Sequence, residues 1–355
     1  MPDRTAVIFG VSGIVGRAVA DHLLAEGGWR VVGVARGRPE DLGKVEHVGC
    51  DLTDAAATKA ALAGIPATHA FFATWSRQPT ERENCRVNGA MIANAVEAIA
   101  AGGGLRHVAL VTGLKHYLGS FENYARQELD TPFTEDLPRV PGDNFYYTQE
   151  DILFAAAAKR GFTWSVARPH TIIGYAPGNA MNLGTSLAVY ASLCKETGLP
   201  FRFPGSPQQY AGLVDMTDAR LLARHLAWSA TTPAAADTAF NVVNGDVFRW
   251  KKMWGHIARY FEIEPAAYPG AASPLAAMLA DTGADWDRIV ARRNLKPYAL
   301  ERIAPWWHVD ADLGRTQEVM ADMSRSRELG FSAYQRTASS FTALFDRLRA
   351  ERIIP

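Results

Sequence analysis

Four groups of residues have the types and spacing to do chemistry together: glycines at 10, 13 and 16, Arg36, Lys115, and the doublet Tyr146–Tyr147. The β-branched and aromatic run Val7, Ile8, Phe9 stops at Gly10. Val15, Val19, Leu23 and Leu24 then follow at helical spacing. Strand, glycine turn and helix in that order form a pyrophosphate cradle for a dinucleotide. Gly10 makes the turn, Gly13 admits backbone N–H groups to the phosphates, and Gly16 lets helix and strand pack closely. The anion sits at the helix N-terminus, where unpaired N–H groups and the dipole favour negative charge. Twenty residues after Gly16 stands Arg36, where a carboxylate would grip a ribose 2′-OH. A guanidinium there suits a 2′-phosphate instead, so NADPH is the expected cofactor.

The tyrosines are the candidate proton donors. In short-chain reductases a lysine four residues after such a tyrosine lowers the phenol's pKa and grips the nicotinamide ribose. Here the fourth residues on are Glu150 and Asp151, and a carboxylate would raise the phenol instead. Either the site is inactive or its cation comes from elsewhere. Lys115, in TGLKHY, is the nearby candidate.

These residues need a frame. Strands are expected at WRVVGVAR (29–36), HVGCDL (47–52), ATHAFFATW (67–75), HVALVTG (107–113), FTWSVARP (162–169) and FNVVNGD (240–246). Between them come helices over about 80–101 and 145–160, the second capped by Asn144 and closed by Gly161. Alternating strands and helices predict an α/β Rossmann-type, doubly wound parallel sheet. Its ligands bind at the carboxyl ends of the strands, where Thr74 and Lys115 fall. Asp51 and Leu52 end a strand as a polar/apolar pair suited to an adenine's edge and face. Residues 118–143, with three prolines, form a long connection of the kind that serves as a lid or binding loop. We expect the NADP-binding domain over 1–175, with later strands around 208–246 returning to it. Residues 176–355 then form mostly a smaller helical lobe that binds substrate. That lobe holds Trp250, Trp254, Trp286, Trp306 and Trp307, which are more readily core than ligand contacts.

Composition narrows the class. Lys plus Arg and Asp plus Glu balance at 37 each, which argues against nucleic acid or an anionic membrane as a partner. The three cysteines are far apart and form no C-x-x-C pair, which argues against a disulfide framework or a metal site and fits a reducing cytoplasm. The N-terminus shows no leader pattern, and the uncharged stretch 169–194 is broken by prolines and glycines, so no membrane span is expected.

GVSGIVG, FFATW followed by ENC, TGLKHYLGSF, NFYYTQEDI, TWSVARP, FNVVNGDVFRWK and WWHVDADLG run along nearly the whole chain. Together they resemble the progesterone 5β-reductase/iridoid synthase-like enone reductases, atypical members of the extended short-chain dehydrogenases. The resemblance implies NADPH-dependent 1,4-reduction of a small enone, with hydride going to the β-carbon. It makes Lys115 the lysine and Tyr146 the tyrosine of the pair, with Tyr147 as the fallback. It places the pyrophosphate on Ser12, Gly13, Ile14 and Val15, and the 2′-phosphate on Arg36. Further cofactor contacts fall on Asp51, Leu52, Thr74, Ile172 and the stretch Asn179, Ala180, Met181. Phe121 is implied in the substrate pocket. Thr171 and His308 stand there for an asparagine and an aromatic, and Ser120 replaces a proline. Gly37 replaces a second basic residue beside Arg36, with Arg38 one step on. The changes in the pocket are towards smaller or more polar groups, so steroid or monoterpenoid specificity is not inherited. The resemblance makes the helices flanking the cofactor strands the place where a homodimer would pack, and the sequence leaves the oligomeric state open. Two other readings use the same frame. One is an extended dehydrogenase for a simple carbonyl or nucleotide sugar, and the other a non-catalytic NADP(H) sensor, which would not need the phenol and ammonium.

Overall fold

Thr5 to Phe9 are all buried, as a strand covered on both faces requires. The computed structural model describes residues 3–39, 42–120 and 130–355. This strand is β1 (Arg4–Phe9), and it is followed by β2 (Trp29–Ala35), β3 (Glu46–Gly49), β4 (His69–Phe72), β5 (His107–Val111) and β6 (Thr163–Pro169). Next come the short strands β7 (Ile172–Ile173) and β8 (Thr217–Asp218), then β9 (Thr238–Val242). Seven of these form one sheet in the order β3-β2-β1-β4-β5-β6-β9, with every pairing parallel, while β7 and β8 pair separately. The chain order reverses between β1 and β4, which opens the crevice used for ligands in such sheets.

The pleat sorts β1's side chains. Ala6 and Ile8 face a core shared with α1 (Ile14–Glu26), while Val7 and Phe9 face the other side. That other side is covered by α2 (Ala55–Leu62), α3 (Glu81–Ala100) and, after the single turn α4 (Lys115–Leu118), by α5 (Phe145–Arg160). The helices α6 (Leu183–Thr197), α7 (Pro207–Ala211) and α8 (Ala219–Thr231) follow, and α8 packs beside α1. The rest is α9 (Trp250–Phe261), α10 (Leu275–Met278), α11 (Gly283–Arg293), α12 (Leu300–Ile303), α13 (Trp306–Leu313), α14 (Ser324–Glu328) and α15 (Thr337–Ala350). A third core gathers α6, α9, α11, α13 and α15, with Trp250, Trp254 and Trp286 inside it. Those three tryptophans are packing groups, as their composition suggested. Trp307 stays exposed.

The helix expected over 145–160 has those bounds, and α6 ends in the same way. Asn144 and Asn182 cap their first turns, and Gly161 and Gly198 end them in the left-handed conformation. The strands end earlier than their β-branched sequences suggest: β4 stops at Phe72, before Thr74, and β3 at Gly49, before Asp51. The released residues turn outward at the carboxyl edge. Phe121 lies outside the described residues. From Asp130 onward the long connection is anchored. Phe133 is buried against Leu114, Tyr117, Leu118 and Val319, and Asn241 Nδ2 donates to its carbonyl at 2.9 Å. No described helix is long and apolar enough to cross a membrane.

Gly16 sets the closeness of α1 to the turn after β1. A Cβ there would stand 2.2 Å from Gly10 O, and that atom is backbone that cannot swing away. Gly16→Ala is expected to cost about 1–3 kcal/mol by overpacking. Chemical denaturation of the variant checks this, and an unchanged midpoint would contradict it.

Candidate active site

Lys115, placed by sequence just beyond β5, is the first residue of α4 and is 5% exposed. Its Nζ donates to Glu81 Oε1 and, at 3.2 Å, to Asn144 Oδ1. The ammonium lies 4.9 Å from the ring centre of Phe145 and 5.8 Å from that of Tyr146. Asn144 fixes both sides of this contact. Its Oδ1 also accepts from Tyr146 N at 3.1 Å, and its Nδ2 donates to Lys115 O at 3.1 Å. The N-cap of α5 therefore wires that helix to the lysine's own backbone.

Tyr146 and Tyr147 have different surroundings. The Tyr147 hydroxyl donates to His116 O and accepts from Val140 N at 2.9 Å, so both of its capacities are spent on backbone. The Tyr146 hydroxyl makes no hydrogen bond among the described residues. A Cβ on Gly113 would come within 3.4 Å of it, so this glycine leaves room at the end of β5. Burial, then the Glu81 carboxylate, push the Tyr146 phenol well above its ordinary value. Burial pushes the Lys115 ammonium down, and Glu81 opposes that shift. Tyr146 is thus a protonated phenol near neutral pH. The carboxylate acting on it is not the residue one helical turn ahead. Glu150 points away from Tyr146: Arg139 Nη2 and Arg168 Nη2 donate to it at 2.9 and 3.4 Å.

The glycine turn fits a pyrophosphate. Gly10 has φ +86°, and a Cβ on it would stand 2.6 Å from Ala73 O, so no other residue fits that turn. Gly13 N donates to Gly10 O at 2.9 Å, and Gly13 occupies the N-cap of α1 with no side chain bonded to the helix end. The N–H groups of Ile14, Val15 and Gly16 open the helix without intrahelical acceptors and are available to an anion. Ser12 is exposed beside them. Asn179 holds Met181 N through Oδ1 at 3.0 Å, with its Nδ2 near Gly13 and exposed Ala180 between the two. At the end of β2, Arg36 is exposed and has no hydrogen-bond partner among the described residues. Its charge reaches Asp51, which is held low by the Thr53 N–H and hydroxyl, at 3.0 and 2.8 Å, and then by Arg36. Leu52 is buried, and its carbonyl accepts from Asn94 at 2.9 Å. Thr74 leaves β4 beside Gly10, and Ile172 starts β7.

Opposite, α13 brings His308 near the β4–α3 connection, where Arg77 stacks 4.4 Å from the Trp307 ring. Burial, with Arg315 and Arg77 nearby, lowers His308 to about 4, so it is a neutral imidazole. Thr171 Oγ1 donates to Asp312 at 2.7 Å and accepts from Arg315 at 3.1 Å, so its hydroxyl is already committed. A cavity of about 340 Å³ lies elsewhere, between α1, α8 and α15, and Ile14 is the single expected cofactor residue that lines it. The chemistry is therefore not located by that cavity. Sequence reasoning missed Glu81 and Gly113; Asn144 appeared there as a helix cap alone.

The model of the PRISE-like Rossmann-fold domain matches residues 48–355. The chain belongs to this family. It is 42% identical to (S)-8-oxocitronellyl enol synthase of Nepeta racemosa, over 99% of this chain and 94% of that one. It is 40% identical to a 3-oxo-Δ(4,5)-steroid 5β-reductase of Arabidopsis thaliana, again over 99% and 94%. In fold the family member is similar to the NAD complex of UDP-glucose 4-epimerase from Thermus thermophilus, with TM-score 0.68, 16% identity, and 97% and 99% of the two chains covered.

The exposed Arg36 yields a test. Arg36→Ala is expected to weaken NADPH by about tenfold or more, the loss of a charge-assisted contact, and to leave NADH affinity nearly unchanged. Titration of cofactor fluorescence measures both, and an equal loss for the two would remove Arg36 from the 2′-phosphate.

Proposed function

We propose that this protein is an NADPH-dependent reductase of the C=C bond of α,β-unsaturated carbonyl compounds. The observation that carries the reading is a protonated phenol, Tyr146, with no hydrogen-bond partner among the described residues, beside the buried ammonium of Lys115, both at the carboxyl edge of a dinucleotide-binding sheet. The residues that would hold NADPH are the glycine turn with Ser12, Ile14 and Val15, then Arg36, Asp51, Leu52, Thr74, Ile172 and Asn179 to Met181. When bound, NADPH supplies a hydride for the β-carbon of the enone.

The chain's own part is to bind and polarise the carbonyl. Tyr146 O–H donates to the carbonyl oxygen, and this bond strengthens as the oxygen gains enolate charge. A phenol whose proton is held tightly is present as the donor across the neutral range. Lys115 stands under the ring and adds a positive charge to the same locality. One oxyanion donor of this kind contributes about 10²–10³ in rate. The α-carbon then takes its proton from water. His308 and the Thr171 segment from the C-terminal side, and Phe121, are proposed to border the substrate. The helical region from residue 176 is proposed as most of the substrate lobe.

The likeness to an enol synthase and a steroid 5β-reductase supports this class of reaction. Likeness to a nucleotide-sugar epimerase is a likeness of fold, and fold does not fix the substrate. The polar replacements at Thr171 and His308 favour a small enone over a steroid. A homodimer and a cytoplasmic site of action complete the reading.

NADPH oxidation with 2-cyclohexen-1-one, with cyclohexanone and without substrate tests it. Consumption is expected with the enone alone, and consumption with the saturated ketone would overturn the proposal. Tyr146→Phe is expected to lower kcat about 10²–10³-fold with NADPH binding intact, whereas Tyr147→Phe lowers stability and leaves kcat within a few-fold. Unchanged turnover in Tyr146→Phe would exclude that hydroxyl.

A further inference from the structure

Glu81 is the first residue of α3, where an acidic side chain is ordinarily explained by the helix dipole. Its surroundings show more than that. Thr80 already caps the helix, its Oγ1 accepting from Glu83 N at 3.2 Å, so Glu81 is not needed as a cap. Its side chain is 9% exposed and takes donors from three directions: Lys115 Nζ on α4, Phe145 N at 2.9 Å on α5, and Asn84 Nδ2 at 3.2 Å on α3. One carboxylate therefore joins the start of three helices beside the ammonium, which lies 5.8 Å from the Tyr146 ring centre.

We propose that Glu81 is a positioning residue of this site, holding Lys115 in place beneath Tyr146. The proposal rests on the roles given above to Lys115 and Tyr146. Other groups face the pair as well. Cys85, from α3, is a thiol raised by burial; Asp143, ahead of α5, acts on that thiol. Asn144 and the rings of Phe145 and Tyr146 come from α5. A desolvated ammonium with its counter-ion removed gives up its proton more readily, and a phenol freed of a nearby carboxylate does the same. Both changes have the same sign. The working forms of both groups are protonated, so losing Glu81 narrows the active range from the alkaline side.

The test is the pH dependence of kcat/KM for enone reduction, with NADPH saturating, in the full chain and in Glu81→Gln and Glu81→Asp. Glu81→Gln is expected to lower kcat by about tenfold to a hundredfold and to move the alkaline limb to lower pH by about one pH unit or more. Glu81→Asp, which keeps the charge, is expected to restore the limb most of the way. A lowered kcat with an unmoved limb in Glu81→Gln would mean a structural role alone and would overturn the proposal. Should Glu81→Gln fail to fold, Glu81→Asp with a limb at the wild-type pH and kcat within a few-fold supports it, and Glu81→Asp as inactive as Lys115→Ala at every pH overturns it. Failure of the underlying reading is distinguishable, because it would leave Tyr146→Phe fully active.

Discussion

A buried ion pair between α3 and α4 is the constraint on which the site depends. Taking an ammonium and a carboxylate out of water is costly, and well-packed apolar residues commonly serve stability equally well or better. Removing one partner alone costs about 3–5 kcal/mol, because a bare charge is left behind. Since a buried pair is weak evidence for stability, this one makes most sense as a device that fixes geometry. Here it fixes the turn after β5, the start of α3 and the start of α5, since Glu81 also accepts from Phe145 N. Trp75, leaving β4, stacks on Phe145 at 5.2 Å, so the neighbouring strand end is held by the same cluster. Asn84 and Asn88, one and two turns into α3, bind the backbone of Gln78 and Ser76 and secure the rest of that connection.

In the proposed site the tyrosine and the lysine come from separate segments and do not share a helix face. Glu150 occupies the position one turn after Tyr146 and is buried against His116, Arg139 and Arg168. Burial pushes its carboxyl up, yet those three groups together hold it below its ordinary value. It ties α5 to α4 and β6 from beneath. A lysine there would remove the counter-ion and place a third cation beside Arg139 and Arg168, so the ammonium has to arrive from another segment.

Much of this was legible in the residues. The nucleotide-binding half follows from strand, glycine and helix in series, and the bounds of α5 follow from Asn and Gly at its ends. Each of those signals is local. Lys115 as a candidate followed from eliminating the position one turn after the tyrosine. Its burial did not, because α4 is a single turn and carries no periodicity. Glu81 was hidden for a related reason. Its partner lies 34 residues away, and an acid in a first helical turn has an ordinary explanation. The difference between the surroundings of Tyr146 and Tyr147 also comes from distant groups, the carbonyl of His116 and the N–H of Val140, which take up Tyr147's hydroxyl. Strand ends were overread because Thr74 and Asp51 continue the composition of a strand while the crevice needs them outside it.

The central claim is that the phenol holds a carbonyl oxygen as it gains charge while reduction occurs two carbons away. The most direct measurement is the position of deuterium in the product of 2-cyclohexen-1-one reduced with NADPH deuterated at the transferable position, read by NMR. The account predicts deuterium at the β-carbon of cyclohexanone. Deuterium on the carbinol carbon of 2-cyclohexen-1-ol would contradict it.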